Sequence, residues 1–505
     1  MTQIVYRANL SAKSFPFLAE NWGRTVIVPG PDNTFNAQVA SKEDPDKDVG
    51  IPQIYYCHNV VASSQGVQSV GYNVILQGLI DKVFISQSLL RDDQDRKVYM
   101  GVTSLGEVYT NDGAGWIYKM TLAAGYTSVS TAYVSGVTYI WIPTVGCYKY
   151  DFTLSSFIPV TLTGLVVADI LGICPSYGYL IAWDSSSIAW SSTLDPTDFT
   201  PSLTTGAGGG SVEGIRGSIT FCLPHTLGFI IYTTKNTVAS LYSGNSRYPF
   251  NFREIVNSGG VASSEMVSWD SNTGNHYAYT TSGLQLISTS QSQTIFPEVT
   301  DFISGFKFED FDETTDTFST TTLSATMQKK LTVVADRYLI LSYGINSLTH
   351  ALIYDIATKR WGKLKISHVD CFEFELTNPG VYETPKQTLA FLKIDGSISI
   401  TNFSVENPAG LGVLILGKYQ YVRSRLLQID QIDLQNVYNN NFSCKIRTEL
   451  NGMVGQWENL FDQSTAGTLE KVYFTRAIGV NHSILLKGNF NLTSLVLYFN
   501  VHGRR

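Results

Sequence analysis

The run Gly206-Ala207-Gly208-Gly209-Gly210-Ser211 is the stretch of this chain closest in composition to a phosphate cradle. A P-loop follows its last glycine with Lys and then Ser or Thr, because an ammonium must reach the phosphates and a hydroxyl must reach Mg²⁺. Here Gly210 is followed by Ser211, Val212 and Glu213. The dinucleotide fingerprint needs a strand before it and a small third residue for helix–strand packing. Ser211 takes that third position, and Thr200 to Thr205 read as a turn. No nucleotide site is expected.

The other candidate chemistry dissolves in the same way. Asp44, Asp46 and Asp48 begin like a calcium loop, yet Val49 stands where a glycine must turn and Tyr55 where a bidentate Glu must ligate. The seven histidines (58, 225, 276, 350, 368, 482 and 502) fall singly, and the six cysteines (57, 147, 174, 222, 371 and 444) lack metal-site spacing. Most of those thiols are expected to be small buried hydrophobes. No Gly-x-Ser-x-Gly elbow occurs. Glu309, Asp310 and Asp312 are close enough in sequence for a glycosidase pair, but they lie in a polar segment with no apolar surroundings to raise one pKa. Asn-x-Ser/Thr sequons, those beginning at Asn402, Asn441, Asn481 and Asn491 among them, are expected by chance in a chain rich in those three residues. The expectation is a protein with no catalytic residue, no metal and no cofactor.

The elements that carry these residues are strands. Tyr (28) and Phe (26) abound, and windows rich in Ala, Leu, Glu and Lys are scarce. Apolar runs alternate with Gly, Asn, Asp and Ser turn signals at 97–113, 132–151, 178–192, 217–244, 268–288, 335–364 and 388–403. Their spacing of roughly 35–50 residues suits propeller blades of three to four strands. The fold class read from the sequence is all-β, a β-propeller-like core with a C-terminal β-sandwich or barrel. Residues 1–53 form an N-terminal arm with the first strands, 54–410 the propeller with an insertion near 303–330, and 411–505 a separate C-terminal β-domain. The net charge of −7, with no Lys/Arg run, argues against static gripping of nucleic acid. The opening residues lack the apolar run of an export signal, and no stretch approaches a membrane span.

Three sets of residues together resemble the tail-nozzle proteins of short-tailed bacteriophages, the family also called tail tubular protein B or packaged-DNA stabilisation protein. The first set is Phe15-Pro16-Phe17 with Tyr56-Cys57-His58-Asn59-Val60 and the Gly66–Gly71 turn region. The second is Trp190-Ser191 with Asp195-Pro196-Thr197-Asp198-Phe199, then Ile230-Ile231-Tyr232 and Pro249-Phe250-Asn251-Phe252. The third is Tyr421-Val422-Arg423-Ser424-Arg425, with the terminal Gly503-Arg504-Arg505 and the earlier YDIATKRW ending in Trp361.

The resemblance implies a structural virion protein of the phage tail: a homohexameric ring that extends the portal–adaptor channel, retains packaged DNA and conducts it during ejection. Its partners would be the head-to-tail adaptor, tail fibre or spike proteins, and double-stranded DNA in transit that is not tightly bound. Trp190 would pack between blades, Asp195-Pro196 would start a turn, and the glycine run would be a connector passing close to neighbouring backbone. Trp361 is likewise expected between blades. A gate or tip is expected in 303–330, from Phe306, Phe308, Asp310, Phe311, Asp312 and Asp316, with carboxylates in water that repel each other and passing phosphate. The alternative reading is a glycan- or receptor-binding β-propeller, and a propeller glycoside hydrolase ranks third.

Overall fold

The computed structural model describes residues 3–7, 25–29, 35–39, 54–62, 66–122, 128–245, 247–297, 299–300, 307–322, 327–375, 388–402, 411–421, 426–450, 452–463 and 467–501. Among them, seven four-stranded antiparallel units follow one another as the blades of a β-propeller. The first five span Phe84–Thr121, Ser130–Val160, Gly172–Ser211, Ile219–Glu254 and Val267–Thr294. The sixth spans Met327–His368. The seventh takes three strands from Asp370–Asn402 and its fourth, Gly71–Leu76, from ahead of the first blade.

That borrowed strand closes the ring. Ile398 pairs with Leu76 and Asn402 with Gly71, so the two ends of the blade series are hydrogen-bonded to each other. Leu76, Phe84, Tyr99, Phe372 and Leu392 then form the apolar cluster between the seventh and first blades. Equivalent clusters fill every other interface, for example Leu90, Met100 and Ile140 between the first and second blades and Ile230, Tyr232 and Ala278 between the fourth and fifth.

Blade-on-blade packing explains the composition of the second strands. A sheet covered on both faces needs apolar residues at consecutive positions, not alternate ones. Tyr179–Trp183 and Gly228–Thr233 are accordingly buried at every residue. The turns into those strands use residues that tolerate positive φ: Ser135-Gly136 (51° and 82°) and Tyr177-Gly178 (48° and 83°) give the primed hairpin geometry.

The C-terminal strands do not stand apart. Gly412–Tyr421, Leu427–Leu450, Gly467–Gly479 and Asn481–Val501 form a long sheet that also takes in Gln3–Arg7, Thr25–Pro29 and Ile54–His58. Val67–Ser69 pairs with Asn491 and Leu492 and with Val60–Ala62, and Val60 in turn pairs with Lys363 on the outer strand of the sixth blade. The segment 54–410, expected to form the propeller, therefore gives its first strands to the C-terminal sheet. Sheet and sixth blade share hydrogen bonds.

The insertion expected near 303–330 contains a hairpin, Lys307–Asp312 with Thr317–Thr322, that leaves the ring between the fifth and sixth blades and docks on this second sheet. Phe311 is fully buried there with Tyr56, Val413, Ile415 and Leu485.

Candidate binding groove

The third blade is interrupted between its last two strands by the loop 191–207. Ser192 starts it by accepting from the amides of Leu194 and Asp195, and Asp195 caps the next turn through the Thr197 amide (2.9 Å) and hydroxyl (2.7 Å). Pro196 is buried, and Phe199 drops between the second and third blades beside Trp141 and Leu180. Asp198 accepts from the Thr163 hydroxyl at 3.1 Å and from the Thr200 amide at 2.9 Å, which holds its carboxyl below the ordinary range. The Asp-Pro-x-Asp-Phe segment thus ties the third blade to the connection that enters it.

The chain then returns as Gly208–Ser211, the fourth strand of the blade, with Trp190 opposite Gly208 and Ile188 opposite Gly210. This corrects the expectation of a connector: cross-strand pairing with Ser187–Trp190 overrides the weak strand propensity of glycine. Close approach is the reason for glycine here. A Cβ on Gly209 would sit 2.7 Å from the Ile188 carbonyl oxygen, and one on Gly208 would sit 3.2 Å from the Trp190 ring.

Trp190 donates its Nε1–H to the Gly206 carbonyl at 2.9 Å and meets Phe250 of the fourth blade edge-on at 5.8 Å. It is half-buried between the third and fourth blades. Its open side belongs to a groove of about 450 Å³, with Pro201, Ser202 and Leu203 on one bank and Arg247, Tyr248 and Phe252 on the other. Tyr248 is 61% exposed, and the Arg247 guanidinium stands 5.6 Å over its ring. The turn that presents them is set by Asn245, which accepts from the Arg247 amide at 2.9 Å. Arg247 is the one charged residue lining the groove among the described residues. The volume is of ligand-site size, and aromatic faces, a guanidinium and a bare strand edge equip it to hold a ligand by contact and hydrogen bonds.

A second cavity, about 500 Å³, lies among the first strands of the blades, where Arg91 stacks on Tyr133 at 4.3 Å and Glu375 is paired with Lys97 at 2.9 Å.

Titratable groups elsewhere serve the fold. All six cysteines are free and buried, and burial pushes the thiols of Cys147, Cys371 and Cys444 up to about 12. Carboxylates cap turns: Asp184 accepts from the amides of Ser186 and Ser187, and Asp355 from those of Ala357 and Thr358. Among the described residues, no group of three His, Cys, Asp or Glu is placed to hold a metal, and no helix is long and apolar enough to cross a membrane.

The residues expected to form a gate or tip are only partly brought together. Phe306 lies outside the described residues, as do Arg423 and Arg425 of the third set of the resemblance, and Phe308 and Asp310 fall within the strand Lys307–Asp312. Asp312 is exposed and caps the hairpin turn through the Thr314 amide at 2.8 Å. Asp316 departs from the expectation of a carboxylate in open water. Lys445 (2.5 Å) and Lys487 (3.2 Å) hold it, and Trp457 donates to its carbonyl at 3.0 Å. Glu313 meets the buried His58 at 2.5 Å. Trp361 is buried against Phe296 and Tyr354, whereas the residues that complete the groove, Arg247, Tyr248 and Phe252, were not singled out for binding. The aromatic spacing in Tyr248-Pro249-Phe250-Asn251-Phe252 was their available signal.

The chain matches no protein-family model, and no curated protein is found as a relative. Solved structures similar to it include YCF48 from Cyanidioschyzon merolae (12% identity, 67% of this chain, 99% of that one, TM-score 0.40). The WD40 β-propeller domain of Doa1 is another (11% identity, 66% and 98%, TM-score 0.39). A third is the extracellular domain of a putative hybrid two-component system from B. thetaiotaomicron (14% identity, 81% and 53%, TM-score 0.38). The closed ring of blades defines the fold independently of these distant likenesses.

Proposed function

We propose that this chain is a non-enzymatic β-propeller binding protein of the glycan- or receptor-binding kind, and that its ligand lies in the rim groove between the third and fourth blades. The observation that carries this reading is the groove itself, where Trp190, Tyr248 and Arg247 surround an accessible strand edge. Half-open aromatic rings and one guanidinium recognise planar, apolar and anionic features of a ligand; they supply no nucleophile and no proton relay. Screening the intact protein against glycan and peptide arrays, in parallel with a Tyr248→Ala/Arg247→Ala variant, tests it. Ligands captured by the parent and lost by the variant support the groove, and ligands held equally by both refute it.

A second reading, the tail-nozzle subunit, is favoured by the segment Asp195–Phe199, which ties adjacent blades together in the turn role that the resemblance implies. In that reading the chain works in a homohexameric ring on an adaptor, with fibre or spike proteins beside it and DNA passing without tight binding. Native mass measurement decides between the two: a six-membered ring, alone or with adaptor, supports the nozzle, and a strictly monomeric particle in the presence of adaptor removes it.

A further inference from the structure

We infer that the groove takes an extended peptide carrying an acidic residue, and that this peptide adds as a fifth strand to the Gly208–Ser211 edge of the third blade. The inference rests on the rim groove being the binding site and names its occupant.

An uncovered edge strand presents unpaired N–H and C=O groups, and natural sheets guard such edges with charged side chains, proline, short strands or cover. The other blades follow that rule. The first blade carries Lys119 on its outer strand, the second Pro159, and the fourth Arg253 and Glu254. The outer strand of the fifth has three residues, that of the sixth is paired with Val60, and that of the seventh is half-buried or buried at all but one position.

The third blade departs from the pattern. Among the described residues, its outer strand, Gly-Gly-Gly-Ser, ends the sheet without a charge or a proline, and it is exposed at Gly209, Gly210 and Ser211. A Cβ placed on Gly210 would meet none of the described residues within 4 Å. The sheet face over the edge is therefore open to the side chains of an added strand, whose backbone would lie about 4.8 Å away in the plane of the sheet.

The groove beside that edge supplies specificity in the manner of strand addition, where main-chain bonds give affinity and pockets read alternate side chains. Trp190, Leu203 and Tyr248 line the groove with apolar surface for the side chains that an added strand turns toward it. Arg247, the groove's one charged lining residue among those described, favours a carboxylate at one of those positions. A glycan could use the aromatic rings but would leave the backbone edge unpaired, so the peptide accounts for more of the site.

The test is a selection from a random peptide display library on the intact protein, followed by synthesis of the enriched peptides in two forms with alternate amides N-methylated in opposite phase. Strand addition predicts that one phase loses binding by about tenfold or more and the other keeps it, because only every second N–H faces the sheet. It also predicts loss on Gly210→Phe, which fills the open space, and weaker selection for acidic residues on Arg247→Gln. A thermal melt of each variant equal to that of the parent shows that the fold is intact, and the surface change Arg247→Gln serves even if Gly210→Phe does not fold. Peptides indifferent to N-methylation in both phases, or no enrichment at all, overturn the inference. Glycan capture that Gly210→Phe abolishes overturns the peptide occupant while leaving the groove as the binding site.

Discussion

Acidification from neutral pH to about pH 4.5 should remove about 5 kcal/mol of folding stability through two buried imidazoles alone. His276 is satisfied as a neutral ring: the Tyr232 hydroxyl donates to Nδ1 at 2.8 Å, and Nε2–H donates to the Pro224 carbonyl at 3.0 Å. His368 is satisfied in the opposite tautomer, Nδ1–H donating to Ile366 at 2.8 Å and Nε2 accepting from the Ser342 hydroxyl at 2.7 Å. Burial pushes the first from 6.5 down to about 3 and the second down to about 4. In the unfolded chain both rings take up protons below about pH 6.5, while in the folded chain neither does until near its own depressed value. Their contribution is therefore complete above pH 6.5 and is lost as pH falls, at about 1.36 kcal/mol per unit for each ring. Burial lowers His58 in the same direction. Carboxylates such as Asp198 and Asp312, held below the ordinary range by the amides of Thr200 and Thr314, protonate only at lower pH. The interval above about pH 4.5 thus belongs to histidine. Urea titrations at the two pH values, followed by tryptophan fluorescence, measure the loss, and His276→Gln and His368→Gln should each flatten it. A stability change below about 1 kcal/mol between the two pH values would refute neutral burial of these rings.

Trp361→Ala should cost about 3–5 kcal/mol, because the ring is buried against Phe296 and Tyr354, while Trp190→Ala should cost nearer 2 kcal/mol because one side faces the groove; equal losses would contradict the two environments. Asp316→Ala should destabilise the docked hairpin by about 2 kcal/mol by removing the carboxylate shared by Lys445 and Lys487, read as faster limited proteolysis within 307–322; an unchanged cleavage rate would count against the dock. The six thiols should resist an aromatic disulfide reagent in the native protein and react on denaturation, since each is buried; rapid labelling of the native form would contradict that packing.

Much of the blade series was legible because its signals are local. Tyr179–Trp183 and the Tyr177-Gly178 turn lie within one short window, and so do Gly228–Thr233 and the chain on either side of it. What escaped depends on distance or on pairing. The strand Gly71–Leu76 can be assigned to the seventh blade only by its register with Ile398–Asn402. The glycine run was read as a connector because propensity disfavours it as strand, and only its partner Ser187–Trp190 makes it one. Phe311, Glu313 and Asp316 looked like a solvated acidic loop, since the groups that compensate them, His58, Lys445 and Lys487, are scattered along the chain. The groove is built from two loops of two blades, and each half alone is an ordinary turn.

The borrowed closing strand also sets a timetable for making the protein. Gly71–Leu76 leaves the ribosome more than 300 residues before the Ile398–Asn402 segment with which it pairs. At synthesis rates of about 5–20 residues per second, the nascent chain spends on the order of tens of seconds as an open series of blades. During that interval the first blade lacks the apolar partner surface of Phe372, Ala390 and Leu392, and an early strand lies unpaired. Translation speed and chaperone supply should therefore govern the yield of folded protein more strongly than the equilibrium stability of the finished ring. A variant in which the segment 71–76 is transplanted to follow residue 402 would shorten the wait to the time needed to make one blade.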